Sequence, residues 1–246
     1  MLKNIDSSEI VSNKNLNNSF LTASLNDLNQ KCHIFNGNFY LDSFNYFPIT
    51  ENNETFIELF KKQPDNSLNN FFTDTFYQNF NNKKNNFKIF KDSYVLGSNC
   101  GDNYYSNLIE FLPRIFFIND TKLNLVVHRN LSNKFRNFIN KIFLYKNIDL
   151  IFSYIDDNFY KFENSKMPQF LDINNSIKIL KFFLNKIIKK DNNDEKKLKI
   201  YVRREDSYYR KPVNEADIIQ NLKGKGYMIL NPQQYDIIEQ INLFSK

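Results

Sequence analysis

Apolar residues recur along this chain in two periods, and the switches between them lay out its elements. Leu123 to Val127 is a compact run of strand character, and Leu131, Phe135, Phe138, Ile139 and Ile142 then fall on one face of a helix over 131–145. Ile148 to Ile155 is the next strand. A strand, a helix of that length and a second strand form a βαβ unit, so 123–127 and 148–154 are expected to be parallel neighbours. Upstream, Tyr104, Leu108, Phe111, Leu112 and Ile115 have helical spacing within 103–118, with Pro113 placed to kink or end that helix. Downstream, a helix over 176–188 is expected to take its cap from Asn175 or Ser176.

The pattern is weaker before residue 100. Residues 1–30 read as a weakly ordered start. Short aromatic runs between Cys32 and Phe47 suggest strands, with a hairpin near Asn36-Gly37. A helical turn is expected at 56–60, an Asn-rich connection over 63–86 and a strand over 93–97.

The polar run 189–197 carries charges and no apolar anchor, and it marks a domain boundary. Beyond it come a strand (198–203), a helix (214–223) stopped by Gly224 and Gly226, a strand (227–230) and a final helix (233–244). Two domains follow, 1–190 and 198–246. The fold class expected is α/β, with two Rossmann-like halves and the second incomplete. Two strands cannot stand alone as a sheet, so Ile229, Ile237, Ile238 and Ile241 must dock on the first half or remain exposed.

Composition changes this picture little. Asn makes up about one residue in six, Ala occurs twice and Trp never, the usage of an AT-rich genome. The net charge of +6 is mostly Lys spread along the chain. It reads as a solvated surface rather than a nucleic-acid footprint, although a basic single-strand binder is a rival reading. Cys32 and Cys100 lie far apart without metal-ligand spacing, which points to free thiols. The N-terminus lacks a signal-peptide core and no apolar run has the length of a membrane span, so a cytoplasmic protein, at most peripheral to a membrane, is expected.

Arginine is the informative residue type. There are six against 27 lysines, and Arg203, Arg204 and Arg210 fall within eight positions, directly after a strand and before a helix. Lys cannot reproduce the planar fork that grips phosphate. An α/β protein holds anions at such a junction.

Two segments together resemble glycosyltransferase family 61. The first is Gly101-Asp102-Asn103-Tyr104-Tyr105-Ser106-Asn107-Leu108-Ile109-Glu110-Phe111-Leu112-Pro113-Arg114, similar to the family's aromatic-rich motif ending in Leu-Pro-Arg. The second is Ile200-Tyr201-Val202-Arg203-Arg204-Glu205-Asp206, continuing through Arg210, Asn214-Glu215 and Glu239-Gln240. On that register Arg204, Asp206, Arg210, Asn214, Glu215 and Gln240 match family positions, and Arg203 stands at a variable one. The resemblance spans about 93–246. Ser106-Asn107 replaces the family's His-Trp, and the family continues past the equivalent of Lys246 with a strand and a Gly-rich, His-containing loop.

The resemblance implies a GT-B-like architecture and sugar transfer from a nucleotide-sugar to a glycan or lipid-linked glycan in surface polysaccharide synthesis. Neither a cofactor nor a metal is expected. The sequence contains no Asp-x-Asp, and the neighbouring Asp156 and Asp157 would point to opposite faces of an extended chain. Arg204, Arg210 and the helix start at Asn214 are then the donor clamp, unless the arginines merely pair with Glu205, Asp206 or Glu215. Asp102 and Glu110 are the candidate bases. Asn103, Tyr105 and Arg114 are the candidate acceptor contacts. His128 ends a strand and reads first as a local cap. The alternative is a non-catalytic member that binds glycan or a partner, or an inactive fragment.

Overall fold

The computed structural model describes residues 20–44, 46–51, 78, 80–82, 86–97, 103–187, 197–203 and 212–244. Eight strands form one mixed sheet and two more form a small parallel one. In chain order these are β1 (Phe20–Leu25), β2 (Gln30–Asp42), β3 (Phe47–Thr50), β4 (Lys88–Lys91), β5 (Tyr94–Val95), β6 (Lys122–His128), β7 (Asp149–Ile155) and β8 (Phe159–Pro168), then β9 (Ile200–Val202) and β10 (Met228–Leu230). The helices are α1 (Tyr104–Ser106), which runs through a π turn (Asn107–Phe111) into α2 (Leu112–Ile115), then α3 (Asn133–Tyr145), α4 (Ile173–Ile187), α5 (Glu215–Gly224) and α6 (Ile237–Phe244).

The large sheet has the order β1-β2-β8-β5-β6-β7, with β3 beside β2 and β4 beside β8. The βαβ expectation holds. β6 and β7 are parallel partners, from Lys122 opposite Asp149 to His128 opposite Ile155, and α3 connects them. Alternation along β6 shows why it sits centrally. Leu123, Leu125 and Val127 enter one core with Phe135, Phe138, Ile139 and Ile142 of α3, while Val126 enters a second core on the other face. With both faces covered, a strand must be apolar throughout. Ser132 caps α3 by accepting from the Phe135 N–H at 3.3 Å.

Several expectations need correction. The chain does not turn at Asn36-Gly37; β2 continues through it, with a register shift against β8 between Gly37 and Phe39. The reversal comes at 43–46, where Ser43 is held by the carbonyl of Asn158 at 2.7 Å and Tyr46 adopts φ 53°. Residues 20–30 are not a loose start, since β1 pairs with β2 over six residues. β8, which the sequence reading missed, is antiparallel to β2, so the sheet is mixed rather than purely parallel. The cap of α4 is Asp172, whose carboxylate accepts from the Asn175 N–H at 2.9 Å, rather than Asn175 or Ser176. Pro113 lies just after the π turn, and the helix ends two residues later at Ile115. The expected helical turn at 56–60 and the linker over 189–197 lie outside the described residues, except for Lys197.

β9 and β10 are parallel, with Ile200 opposite Met228 and Val202 opposite Leu230. This small sheet does not stand alone. Ile237 of α6 is buried in the large core, and Ile238 and Ile241 pack against it. Lys141 of α3 pairs with Asp236 at 2.9 Å. Docking buries Ile237 and partly covers the apolar face that two strands and two helices would otherwise expose.

Gly97 shows how tightly the end of β5 is packed. A Cβ there would collide with the Tyr46 ring, which is itself buried and has nowhere to move. Gly97→Ala is therefore expected to cost about 1–3 kcal/mol through overpacking. A thermal melt checks this, and an unchanged midpoint would contradict the packing described.

Candidate functional site

A concavity lies where the small sheet meets α3. It measures about 620 Å³ and is floored by Val202 and Arg203 at the end of β9 and by Asn231 just after β10. Ser132, Asn133, Lys134 and Phe135 of the α3 N-terminus form the opposite wall, and Tyr104, Ile237, Gln240 and Phe244 close the sides. The C-terminal ends of two parallel strands thus face the N-terminus of a helix on the other unit. Strand ends of this kind are where open α/β sheets bind ligands, and helix N-termini favour anions.

Hydrogen bonds tie the two walls together. The Tyr104 hydroxyl donates to Gln240 Oε1 at 2.9 Å. Gln240, which is buried, passes its own amide N–H groups to the carbonyls of Pro232 (2.7 Å) and Tyr235 (3.1 Å). Lys134 Nζ reaches the carbonyls of Tyr235, at 2.9 Å, and Gln233. Burial raises the Tyr104 phenol above its ordinary pKa, so it remains a donor at neutral pH.

The residues expected from sequence fall in different places. Asn103 caps α1, its Oδ1 accepting from the Ser106 N–H at 3.1 Å. Tyr105 is exposed, and its neighbour Tyr104 is the one that lines the cleft. Ser106 and Asn107 are both buried, and Asn107 opens the π turn. Such turns are frequent at functional sites. Glu110 lies in the same turn, half-buried, with one carboxylate oxygen shut off from solvent.

Arg114 is wholly buried and does not line the cleft. Its Nε donates to the Glu110 carbonyl at 2.6 Å, Nη1 to the Pro168 carbonyl at 3.4 Å and Nη2 to the Gly97 carbonyl. The guanidinium also lies 4.0 Å from the centre of the Phe170 ring. Burial pulls its pKa down to about 10, which still leaves it charged at neutral pH. One cation thereby pins the end of β5, the π turn and the end of β8.

Asn214 precedes α5 and is exposed, and its side chain makes no capping bond to that helix. Asp102, Arg204 and Arg210 lie outside the described residues. The arginine the structure does place at the cleft is Arg203, the position the resemblance leaves variable. It pairs with the buried Glu215 across 3.8 Å. Sequence spacing could not single out Arg203, because which residue of a strand end faces inward depends on the register.

Other candidates are engaged elsewhere. His128 Nδ1 accepts from the Asn130 N–H at 3.1 Å, so the network assigns the ring proton to Nε2, which donates to Asp157 at 2.9 Å. Asp156 takes the Tyr160 hydroxyl and the Asn158 amide, and these bonds hold its carboxyl below the usual range. The two neighbouring carboxylates have separate partners. Cys32 is a buried free thiol, pushed up to about 12 by burial. No helix among the described residues is long and apolar enough to cross a membrane.

The structure is thus a mixed α/β protein with a largely apolar cleft at parallel strand ends, edged by Lys134 and Arg203. The family comparison is more specific: the model of the Glycosyltransferase 61 family matches residues 104–246, more than half of the chain. The chain belongs to glycosyltransferase family 61, whose members transfer a sugar from a donor to a glycan acceptor. No curated protein and no solved structure matches it.

Proposed function

We propose that this chain transfers a sugar from a nucleotide-sugar to a glycan acceptor in surface polysaccharide synthesis, without a metal, in the cleft between the two units. The observation that carries this reading is the cleft itself. It lies inside the segment matched by the family and is built from the ends of β9 and β10, the N-terminus of α3 and Arg203. A departing nucleoside diphosphate needs positive charge as its bond to the sugar breaks, and a guanidinium sharing the cleft with a helix N-terminus supplies it. In this reading the architecture is GT-B-like, with the donor on the side of residues 198–246.

In this reading Arg203 joins Arg204, Arg210 and Asn214 on the donor. Asp102 and Glu110 are the candidate bases for the acceptor hydroxyl, and Asn103 and Tyr105 stand at the acceptor edge beside Tyr104. Arg114 serves the acceptor side indirectly, by fixing the π turn from within. The alternative, a non-catalytic glycan binder, is favoured by Ser106-Asn107 at the position of the family's His-Trp.

Calorimetric titration with nucleoside diphosphates separates donor binding from its absence. Arg203→Lys keeps the charge but loses the fork, and Arg210→Lys does the same at its position. Each is expected to weaken binding by roughly 1.5–3 kcal/mol, about tenfold to a hundredfold. Wild-type affinity in both variants would remove the arginines from the donor site.

A further inference from the structure

The hydrogen-bond polarity of one cleft wall is fixed from inside the protein. Gln240 is only 4% exposed, and its Nε2 lies 2.7 Å from the Pro232 carbonyl and 3.1 Å from the Tyr235 carbonyl. Carbonyl oxygens only accept, so the amide nitrogen belongs on that side and Oε1 on the other. Oε1 meets the Tyr104 hydroxyl at 2.9 Å. An amide oxygen cannot donate, so the single hydroxyl proton of Tyr104 is committed to it. Both residues line the cleft, and Tyr104 remains 46% exposed. Its ring makes an edge-to-face contact with Phe135 of α3, the centroids 5.4 Å apart. The phenol is therefore held at both ends, with its proton turned toward Gln240.

We propose that Tyr104 is a specificity-determining residue, whose hydroxyl oxygen accepts a hydrogen bond from a hydroxyl group of the ligand in the cleft. This rests on the sugar-transfer reading given above. An oxygen that offers only lone pairs attracts O–H groups and turns away phosphate and carbonyl oxygens, which have no proton to give. The ligand is thereby oriented, with a polyol ring against Tyr104 and the diphosphate elsewhere. Two groups share this chemistry: the ribose of a nucleotide donor and a sugar unit of the glycan acceptor. Phe135, Ile237 and Phe244 supply apolar surface for the carbon face of either ring.

The test removes the hydroxyl from each side in turn. Tyr104→Phe keeps the ring, and a thermal melt confirms the fold. The full chain and this variant are titrated with ADP, CDP, GDP and UDP and with the 2′-deoxy and 3′-deoxy form of each. Both proteins are also applied to an immobilised array of surface-polysaccharide fragments. Loss of one neutral hydrogen bond is expected to weaken binding by about two- to tenfold. Should Tyr104→Phe fail to fold because Gln240 is left without its donor, Tyr104→Trp takes its place under the same outcomes. Its indole N–H can serve Gln240 but presents no lone pair to a ligand.

A selective loss is the expected result. If the ribose is the partner, the variant binds the ribonucleotide more weakly, and one deoxy form binds both proteins equally. If the glycan is the partner, array binding falls while every nucleoside diphosphate binds as before. An equal loss across all probes, deoxy forms and glycans included, marks a merely structural tyrosine and overturns the proposal. Unchanged binding of all probes overturns it too, and in both cases the wild-type chain still binds and the sugar-transfer reading stands. A wild-type chain that binds neither nucleotides nor glycans overturns that reading and the role of Tyr104 with it.

Discussion

Arg114→Ala is expected to lose on the order of 3–5 kcal/mol of stability, the scale for breaking a buried charged network. Three backbone carbonyls, those of Gly97, Glu110 and Pro168, would lose their donor at once, and the space beside Phe170 would empty. For a chain of this size the melting temperature should fall by roughly 10 °C. Arg114→Lys should recover little of this, because an ammonium cannot present a planar fork to three divergent carbonyls. Thermal or chemical denaturation of the two variants measures it. If Arg114→Ala melts with the wild type but loses acceptor affinity, then Arg114 contacts the acceptor directly and the buried-pin assignment is wrong.

The second large effect is catalytic. Asp102→Asn is expected to lower kcat by about 10²–10⁴-fold, the usual range for removing a general base. Glu110→Gln should cost considerably less. Glu110 has one carboxylate oxygen closed off from solvent and does not line the cleft. A carboxylate away from the cleft is poorly placed to take the acceptor's proton. Single-turnover rates for the two variants decide between them. A large loss in Glu110→Gln with near-normal rates in Asp102→Asn would exchange the roles.

Much of the fold was legible in the sequence wherever a periodic run was long and unbroken. The β6-α3-β7 unit was readable because its strands are apolar and its helix carries a single stripe ending in Phe143. β8 was not. Glu163, Asn164 and Ser165 interrupt its alternation, and Asn164 sits at φ 47°, so the residues that mark the irregularity look like loop chemistry. Asn36-Gly37 misled for the converse reason. The pair is the usual hairpin turn, but the long partner strand β8 keeps β2 extended, and the extra residue at the register shift lies on β8, between Phe162 and Ser165. Long-range pairing overrode local preference in both cases.

The candidate site was legible as a region and not in its details. The importance of 200–215 followed from the clustering of arginines, and of 101–114 from the family resemblance. What no linear pattern shows is that Tyr104 meets Gln240 across 136 positions of sequence. Nor does a pattern show that α3, read only as a core helix, turns its first residues toward the end of β9. Arg114 illustrates the same limit: a motif arginine reads as a ligand contact, whereas its carbonyl partners come from three separated segments.

The most direct measurement is sugar transfer itself. The protein is incubated with a panel of labelled nucleotide-sugars and saccharide acceptors, with a chelator present, and both products are followed. The account predicts that label moves onto an acceptor with one nucleoside diphosphate released per transfer, and that Arg203→Lys slows this at subsaturating donor. A protein that binds saccharide acceptors but neither binds nor consumes any nucleotide-sugar would contradict it and leave a glycan-binding member of the family.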